Sequence, residues 1–506
     1  MAQTGTETSE GRPHIYGNFR TPTSKGIGGL STAGTAVLFG GMVVGIFLMT
    51  FGLWLEALVF VFVLGLVLLL SMQKNKHGRT TVERIVRRLG WANTRFSGSH
   101  VYRSGPLSRV PGGTSKLPGV SAKSTLSEHV DGYGRSFAMI HVPQKNYYTV
   151  VMRSEPDAGG MVDQEQVNRW VDRYSLWLGQ LTDEPGLVQA SVTVETAPDS
   201  GYRLARKVEE QIDPDAPEFA QQIMREAVDT LPSGSTVTKA YTALTYRAAL
   251  RTGGKSRMRE DVAADIASRL PSITLGLSST GAGFVEPMTA QEMCETIRVA
   301  YDPHESVLFD QAHAQGMAPK LDWGEVGPQA HEAGWDWYRH NGAWSKTWTM
   351  SVPPRSTIQS RILQDLISPN AELMRKRVTM LYRPIDPATA AALVEKDVNT
   401  ATFNASAKDR VSSRQTREVR AARATEDEEA EGAGLLNFGM VVTATMDEGE
   451  NKGMVDALID NLAVSARIRI EPAYGSQDSS FAAGLPLGLV IPDMLSLPSS
   501  VRSALS

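Results

Sequence analysis

Two apolar segments dominate the first 75 residues of the chain. The first covers roughly Leu30–Phe51 and has no charge, and the second, WLEALVFVFVLGLVLLLSM at Trp54–Met72, is charged only at Glu56. Each is close to the roughly 20 residues that a helix needs to cross the hydrocarbon of a bilayer. The pattern therefore predicts a transmembrane helical hairpin over residues 30–72, with a tight turn at Gly52–Leu53.

Two other interpretations of the apolar segments are a cleaved signal peptide and a pair of buried helices. A cleaved signal peptide would explain the first segment, but no small-residue cleavage site precedes the second. Two buried helices of a globular core would each show a polar face, and neither segment has one. The hairpin is the interpretation that the pattern favours.

Basic residues flank the hairpin on both sides, whereas its turn has neither Lys nor Arg. The positive-inside rule then places both termini in the cytoplasm of an inner membrane that is spanned twice. Aromatic and cationic side chains next to the spans are expected at headgroup level, so membrane lipid is an expected partner. The predicted membrane-interface residues are Tyr16, Phe19, Arg20, Lys25, Arg84, Arg87 and Arg88.

The stretch TTVERIVRRLGW, residues 80–91, follows the second segment. Its apolar residues fall on one helical stripe with arginines opposite, and Thr80 and Glu83 have the spacing of a capping box. The pattern predicts an amphipathic basic helix on anionic lipid. The alternative is the packed first helix of the following body.

Short strand-like runs alternate with helical patterns beyond residue 130. SFAMIHV, YYTVVMR, GLVQASVTVET and SITLGLSS have strand character, and Pro387 to about Ala424 has the pattern of a long helical arm. The predicted fold class is α+β, a transmembrane hairpin followed by a cytoplasmic body of ferredoxin-like strand–helix–strand units. The predicted segments are an N-terminal cytoplasmic segment (1–29), the hairpin (30–72), a basic juxtamembrane helix and linker (73–130), an α+β subdomain (131–301), an aromatic-rich irregular segment (302–343) and an α+β subdomain with the arm (344–506).

Composition adds little to this picture and excludes two chemistries. Apolar residues make up 42% and charged residues 21% of the 506 positions, which is typical of globular proteins. The net charge of −4 gives no global indication of nucleic-acid binding. Cys294 is the single cysteine, so neither an intrachain disulfide nor a multi-thiolate metal site is available.

Two stretches resemble catalytic motifs without matching them. TGGKS at Thr252–Ser256 ends like a phosphate loop, but Ala249 stands where the leading glycine belongs. HEAGWDWYRH places His331 and His340 at a spacing that does not bring two imidazoles onto one helical face for zinc. We therefore assign no catalytic, cofactor-binding or metal-binding residue.

Arginine recurs every third position on the predicted arm. Arg414, Arg417, Arg420 and Arg423 form this ridge, and an acidic run begins at Glu426. One interpretation is a surface for an acidic partner or nucleic acid. The other is a solvated helix face that pairs with the neighbouring acids.

Four stretches carry a resemblance to a known family. They are YGNFRTP…GIGGL (Tyr16–Leu30), NYYTVVMR (Asn146–Arg153), EPGLVQASVTVETAPDSG (Glu184–Gly201) and RIRIEPAYGSQDSSFAAGLPLGL (Arg467–Leu489). The chain resembles membrane proteins of actinobacterial conjugative and type IV secretion-like systems. Its body is similar to the N-terminal domain of VirB-type conjugative ATPases, and its hairpin to their small two-helix membrane subunit.

The resemblance implies a non-catalytic structural component of a conjugative DNA-transfer machine. The chain stops at Ser506 without the family's motor domain, so the resemblance implies no ATPase activity and no cofactor. Expected partners are a separate motor ATPase and other channel subunits, within an oligomeric complex. The alternative function is a membrane-tethered protein that binds a nucleotide through Lys255 or DNA through the arginine ridge.

Overall fold

The structure is a computed structural model, and it describes most of the chain. The described residues are 15–16, 32–73, 80–104, 114–156, 162–199, 201, 208–213, 215–230, 236–248, 257–317, 319–354, 358–370, 372–406, 413–430 and 432–494. Its helices are α1 (Thr32–Thr50), α2 (Trp54–Met72), α3 (Thr81–Phe96), α4 (Gln164–Asp183), α5 (Glu218–Thr230), α6 (Arg259–Leu277), α7 (Ala290–Tyr301), α8 (Ser306–Ala314), α9 (Gln364–Ile367), α10 (Pro387–Ser406), α11 (Ser413–Ala430), α12 (Lys452–Ser465), α13 (Gln477–Ala483) and α14 (Ile491–Met494).

Its strands are short to medium in length and pair antiparallel. They are β1 (Ile15–Tyr16), β2 (Val101–Arg103), β3 (Thr125–Val130), β4 (Ser136–Val142), β5 (Tyr147–Glu155), β6 (Leu187–Pro198), β7 (Thr236–Arg247), β8 (Phe284–Pro287), β9 (Ala330–Ala333), β10 (Tyr338–His340), β11 (Ala343–Val352), β12 (Ile358–Gln359), β13 (Arg375–Pro384), β14 (Leu436–Asp447) and β15 (Arg469–Pro472).

One large sheet organises the α+β body. Its strands follow the order β2-β9-β10-β11-β14-β13-β6-β7-β5-β4-β3, with β15 also paired to β11 and β8 also paired to β5. The remaining strands, β1 and β12, form a separate two-stranded sheet.

The middle of the large sheet is built from two units of the same topology. The first unit runs β5-α4-β6-β7-α6-β8 and has the strand order β8-β5-β7-β6. The second runs β11-α9-β13-β14-α12-β15 and has the strand order β15-β11-β14-β13. Each is a β-α-β-β-α-β arrangement in the order 4-1-3-2, as in ferredoxin-like domains.

The two units join through their second strands, β6 and β13, which pair antiparallel from Thr196↔Lys376 to Ala190↔Tyr382. In each unit the connection from the second to the third strand carries additional helices. The first connection leaves after Pro198, which pairs with Thr236, and the second after Pro384, which pairs with Leu436. Because β6 and β13 run in opposite directions, the two insertions leave the sheet at opposite ends of its central strands.

The two faces of the sheet are covered differently. One face is apolar and packs against α4 and α6 in the first unit and α12 in the second. The other bears rows of Ser and Thr and is crossed by the segment Gly484–Val490, which we call the strap. Its carbonyls at Gly484, Gly488 and Leu489 accept hydrogen bonds from Thr379, Thr245 and Gln189, at 3.0, 2.9 and 3.2 Å.

The predicted transmembrane hairpin is wrong for this structure. The helices α1 and α2 form and pack on each other, but across the described residues no helix has both the length and the apolarity that a bilayer span requires. Each is 19 residues long. The predicted inner-membrane location with two spans and cytoplasmic termini, and the description as a membrane protein, are corrected accordingly.

Three predictions about the body also need correction. Residues 302–343 are not irregular throughout, because they contain α8 and the paired strands β9 and β10. SITLGLSS is not a strand but the last turns of α6 and the turn after it, since α6 continues through Pro271. The arm consists of two helices, α10 and α11, instead of one.

Candidate partner-binding surface

The predicted membrane-interface residues lie in two places. Phe19, Arg20 and Lys25 fall outside the described residues, and the backbone of Tyr16 pairs with Ile358 in the small sheet. The remaining three, Arg84, Arg87 and Arg88, lie on α3, where Arg84 and Arg88 are exposed. The predicted contact of these residues with lipid stays a prediction.

Helix α3 contacts the second unit of the sheet. Thr80 caps it by accepting a hydrogen bond from the Glu83 amide at 3.2 Å, which is one of the two hydrogen bonds of the predicted capping box. Arg87 forms a 3.6 Å ion pair with Glu471 on β15, and Trp91 meets Trp335 edge-to-face with ring centroids 5.6 Å apart. The alternative interpretation of this stretch, a helix packed on the body, is thus observed on this side of α3.

Helices α10 and α11 pack on each other and form the insertion between β13 and β14, residues 387–430, which we call the arm. Arg417, Arg420 and Arg423 are exposed on α11. Arg414 belongs to the same helix, and its side chain lies outside the described set. The arginine ridge is therefore solvent-facing at the three positions where its side chains are described.

An open groove on the arm brings two of these arginines together with a carboxylate. Arg420, Arg423 and Asp427 border it, and Ala405 of α10 lies at its edge. Three exposed acids, Glu426, Asp427 and Glu428, occupy the last turns of α11. The surface thus carries positive and negative charge side by side, a pattern that suits a protein partner with both signs of charge better than a uniformly negative polymer.

A cluster of buried charges lies at the junction of the two units. Sequence reasoning did not find this cluster. Glu195 on β6 accepts hydrogen bonds from Arg375 and Arg377 on β13, the latter at 2.6 Å from Arg377 Nε. Burial acts to raise the pKa of Glu195, but the two guanidinium charges outweigh it and lower that pKa to about 2. The i, i+2 spacing of Arg375 and Arg377 places both side chains on one face of β13, and this spacing is the one signal in the sequence that could have indicated the cluster.

The two histidines of HEAGWDWYRH lie opposite each other on β9 and β10. His340 is held by the Tyr301 carbonyl at 2.7 Å and the Ser345 hydroxyl at 2.8 Å. Burial lowers the pKa of His331 to about 4 and that of His340 to about 3, so both are neutral at pH 7. Among the described residues, no group of three or more His, Cys, Asp or Glu side chains could hold a metal ion.

Two further candidates from the sequence have different outcomes. TGGKS lies outside the described residues, so its relation to a phosphate loop is untested. Cys294 is buried in α7, where burial raises the pKa of its thiol to about 12. A thiol in that state stays protonated at neutral pH and is a weak nucleophile.

The comparisons with known proteins bear on the N-terminal helices alone. A family model described as a domain of unknown function (DUF8461) matches residues 23–83, which include α1, α2 and the beginning of α3. This is about an eighth of the chain. No curated protein matches the chain. The resemblance to conjugative and secretion-like systems therefore stays a prediction.

Proposed function

We propose that this chain is a non-catalytic scaffold that binds other proteins through helices inserted in the connections between strands of its sheet. The observation that carries the proposal is the position of the insertions. Both follow the second strand of a ferredoxin-like unit, and they leave the sheet at opposite ends of β6 and β13. Such a body can hold two partners apart at a fixed distance.

The central sheet is suited to this role because its interior is tied together across long sequence distances. Thr193 on β6 and Thr379 on β13 share a hydrogen bond at 2.9 Å, next to the Glu195 cluster. The strap adds hydrogen bonds to both units at once. Hydrogen bonds that join strands distant in sequence inside a core favour one rigid arrangement, which a scaffold needs.

Of the two insertions, the arm has the exposed side chains that favour a binding surface. Its exposed charges are of both signs, and Phe403 on α10 is 70% exposed. An exposed aromatic ring with arginines on the neighbouring helix is the composition found at the energetic centre of protein interfaces. We expect the motor ATPase implied by the resemblance to be the first partner to test.

Affinity purification of the full chain from its native host tests the proposal. An arm-deleted variant that joins Asp386 to Gly434 by a short turn keeps the strands intact, because Pro384 and Leu436 already pair. We expect a P-loop ATPase to co-purify with the full chain and to be lost with the arm deleted. The matched control replaces residues 200–234 by a turn between Pro198 and Thr236, which also pair.

A full chain that purifies alone and monomeric would refute the scaffold function. An ATPase that stays bound when the arm is deleted but is lost with the control deletion would instead move the binding surface to the first unit. The DNA-binding alternative predicts affinity that falls steeply with salt, since phosphate contacts release counterions. We expect no such dependence, because Asp427 lies in the same groove as Arg420 and Arg423.

A further inference from the structure

The charges of α11 run in the order opposite to the one its helix dipole favours. The arginines occupy the first three turns, while Glu426, Asp427, Glu428 and Glu429 occupy the last. Acidic residues stabilise the N-terminal end of a helix and basic residues the C-terminal end, so this order destabilises an isolated helix. The order therefore needs an explanation outside the helix itself.

Three charged side chains share the open side of α11. Arg420, Arg423 and Asp427 are exposed and border the same groove. None of them forms an ion pair with any residue that the structure describes. Arg420 and Asp427 are seven residues apart, which is about two helical turns, so they lie on nearly the same face about 10 Å apart along the axis.

We propose that the arms of two copies of this chain pair through α11, antiparallel, about a twofold axis between Arg423 and Ala424. In that arrangement Arg420 of each copy lies opposite Asp427 of the other. The basic half of each helix then faces the acidic half of its partner. The contact is isologous, because the same patch serves both copies.

Charge complementarity is what singles out a second copy as the occupant. A surface with a basic and an acidic half, related by the reversal of one helix, is complementary to itself. Ala424 beside the axis is small, and small side chains at a helix contact allow the helices to approach closely. Exposed ion pairs add little energy and are screened by salt, so the association is weak and depends on ionic strength.

A cysteine placed at the axis reports the contact directly. Ala424→Cys puts two thiols next to each other across the axis, and the native Cys294 is 2% exposed and shielded from reagents. We expect a short bis-maleimide to give a covalent dimer of the full chain at low salt. Glu428→Cys is the matched control, since its two copies lie about 13 Å apart along the antiparallel helices, too far for efficient linkage.

Charge reversal tests the register in the Ala424→Cys background. Arg420→Asp or Asp427→Arg alone places like charges opposite each other, and we expect each to reduce cross-linking about tenfold. A mixture of these two variants restores both opposite-charge pairs, so cross-linking returns. Arg169→Asp, on the exposed surface of α4, is the control reversal and leaves the yield unchanged.

Three results would each overturn this inference. They are equal cross-linking at positions 424 and 428, cross-linking that the single reversals leave intact, and a mixture that fails to restore it. The inference does not rest on the proposed scaffold function. Capture of a motor ATPase without arm pairing would remove only the inference, and arm pairing by a chain that captures no partner would remove only the scaffold function.

Discussion

Replacement of Glu195 by Gln tests whether the buried charge cluster at the β6–β13 junction stabilises the sheet. The substitution keeps the shape of the side chain and removes the charge that faces Arg375 and Arg377. Both guanidinium groups are then left buried with no carboxylate between them. Removal of one partner from a buried ion pair costs much more than the pair itself contributes.

The expected loss can be worked from the pKa of Glu195. The two arginines lower it from its ordinary 4.5 to about 2. At about 1.4 kcal/mol per pKa unit, this difference corresponds to about 3.5 kcal/mol. Measured losses on breaking buried pairs are about 3–5 kcal/mol, so both routes give the same magnitude.

Urea unfolding of the full chain, followed by circular dichroism, measures this loss. Glu165→Gln is the matched control, because its ion pair with Arg169 is exposed and should contribute less than about 1 kcal/mol. The pH dependence supplies a second readout. The folded-state pKa of Glu195 lies below the unfolded value, so its contribution is complete above about pH 4.5 and is lost as the pH falls through about 2.

The reasoning fails if Glu195→Gln loses no more stability than Glu165→Gln. It fails equally if the variant keeps the full acid sensitivity of the parent between pH 4.5 and 2. Either result would show that the arginines find other partners when the carboxylate is neutral. The junction would then be held by backbone pairing and the Thr193–Thr379 hydrogen bond alone.

Two further substitutions probe the buried histidine and the strap. The pKa of His340 is lowered to about 3, below the unfolded value near 6.5, so the contribution of this side chain to stability falls as the pH drops below 6.5, by about 2 kcal/mol at pH 5. Urea unfolding midpoints at pH 7.5 and pH 5 measure this fall. A His340→Gln variant that loses as much stability between these two pH values as the parent would contradict the prediction. Gly488 has φ +62°, and a Cβ there would lie 2.2 Å from Thr245 Oγ1, so Gly488→Ala should destabilise the protein by about 2 kcal/mol or more. Gly439→Ala on β14 is the control, with no atom within 4 Å of the added Cβ, and equal unfolding midpoints for the two variants would refute the account of the strap.

Individual elements of the fold could be predicted where one residue pattern decides them. SFAMIHV predicts β4, which spans those same residues, Ser136–Val142. The pattern failed at SITLGLSS, where Ile273 and Thr274 favour a strand by propensity. In the structure Ile266, Leu270, Thr274 and Leu277 continue one buried helical stripe through Pro271. Tertiary packing of that stripe against the sheet outweighs local preference, and a single sequence does not show the packing partner.

The candidate surface was visible in the sequence, but its relation to the sheet was not. The spacing of Arg420 and Arg423 predicts that they share a surface, because helical periodicity is local. The Glu195 cluster was missed, because it depends on β6 pairing with β13 across about 180 residues. Register of that kind is set by which buried faces meet, and local patterns do not determine it.

The duplicated topology extends this argument to the arm. The two units share strand order, yet their first helices differ greatly in length, with 20 residues in α4 and four in α9. Insertions at the same connection in both units are tolerated because the flanking strands stay paired up to Pro198↔Thr236 and Pro384↔Leu436. Stability therefore places little constraint on what the insertions contain. Charges that oppose the dipole of α11 can persist there without weakening the sheet, and their arrangement is better explained by what the arm binds than by how the body folds.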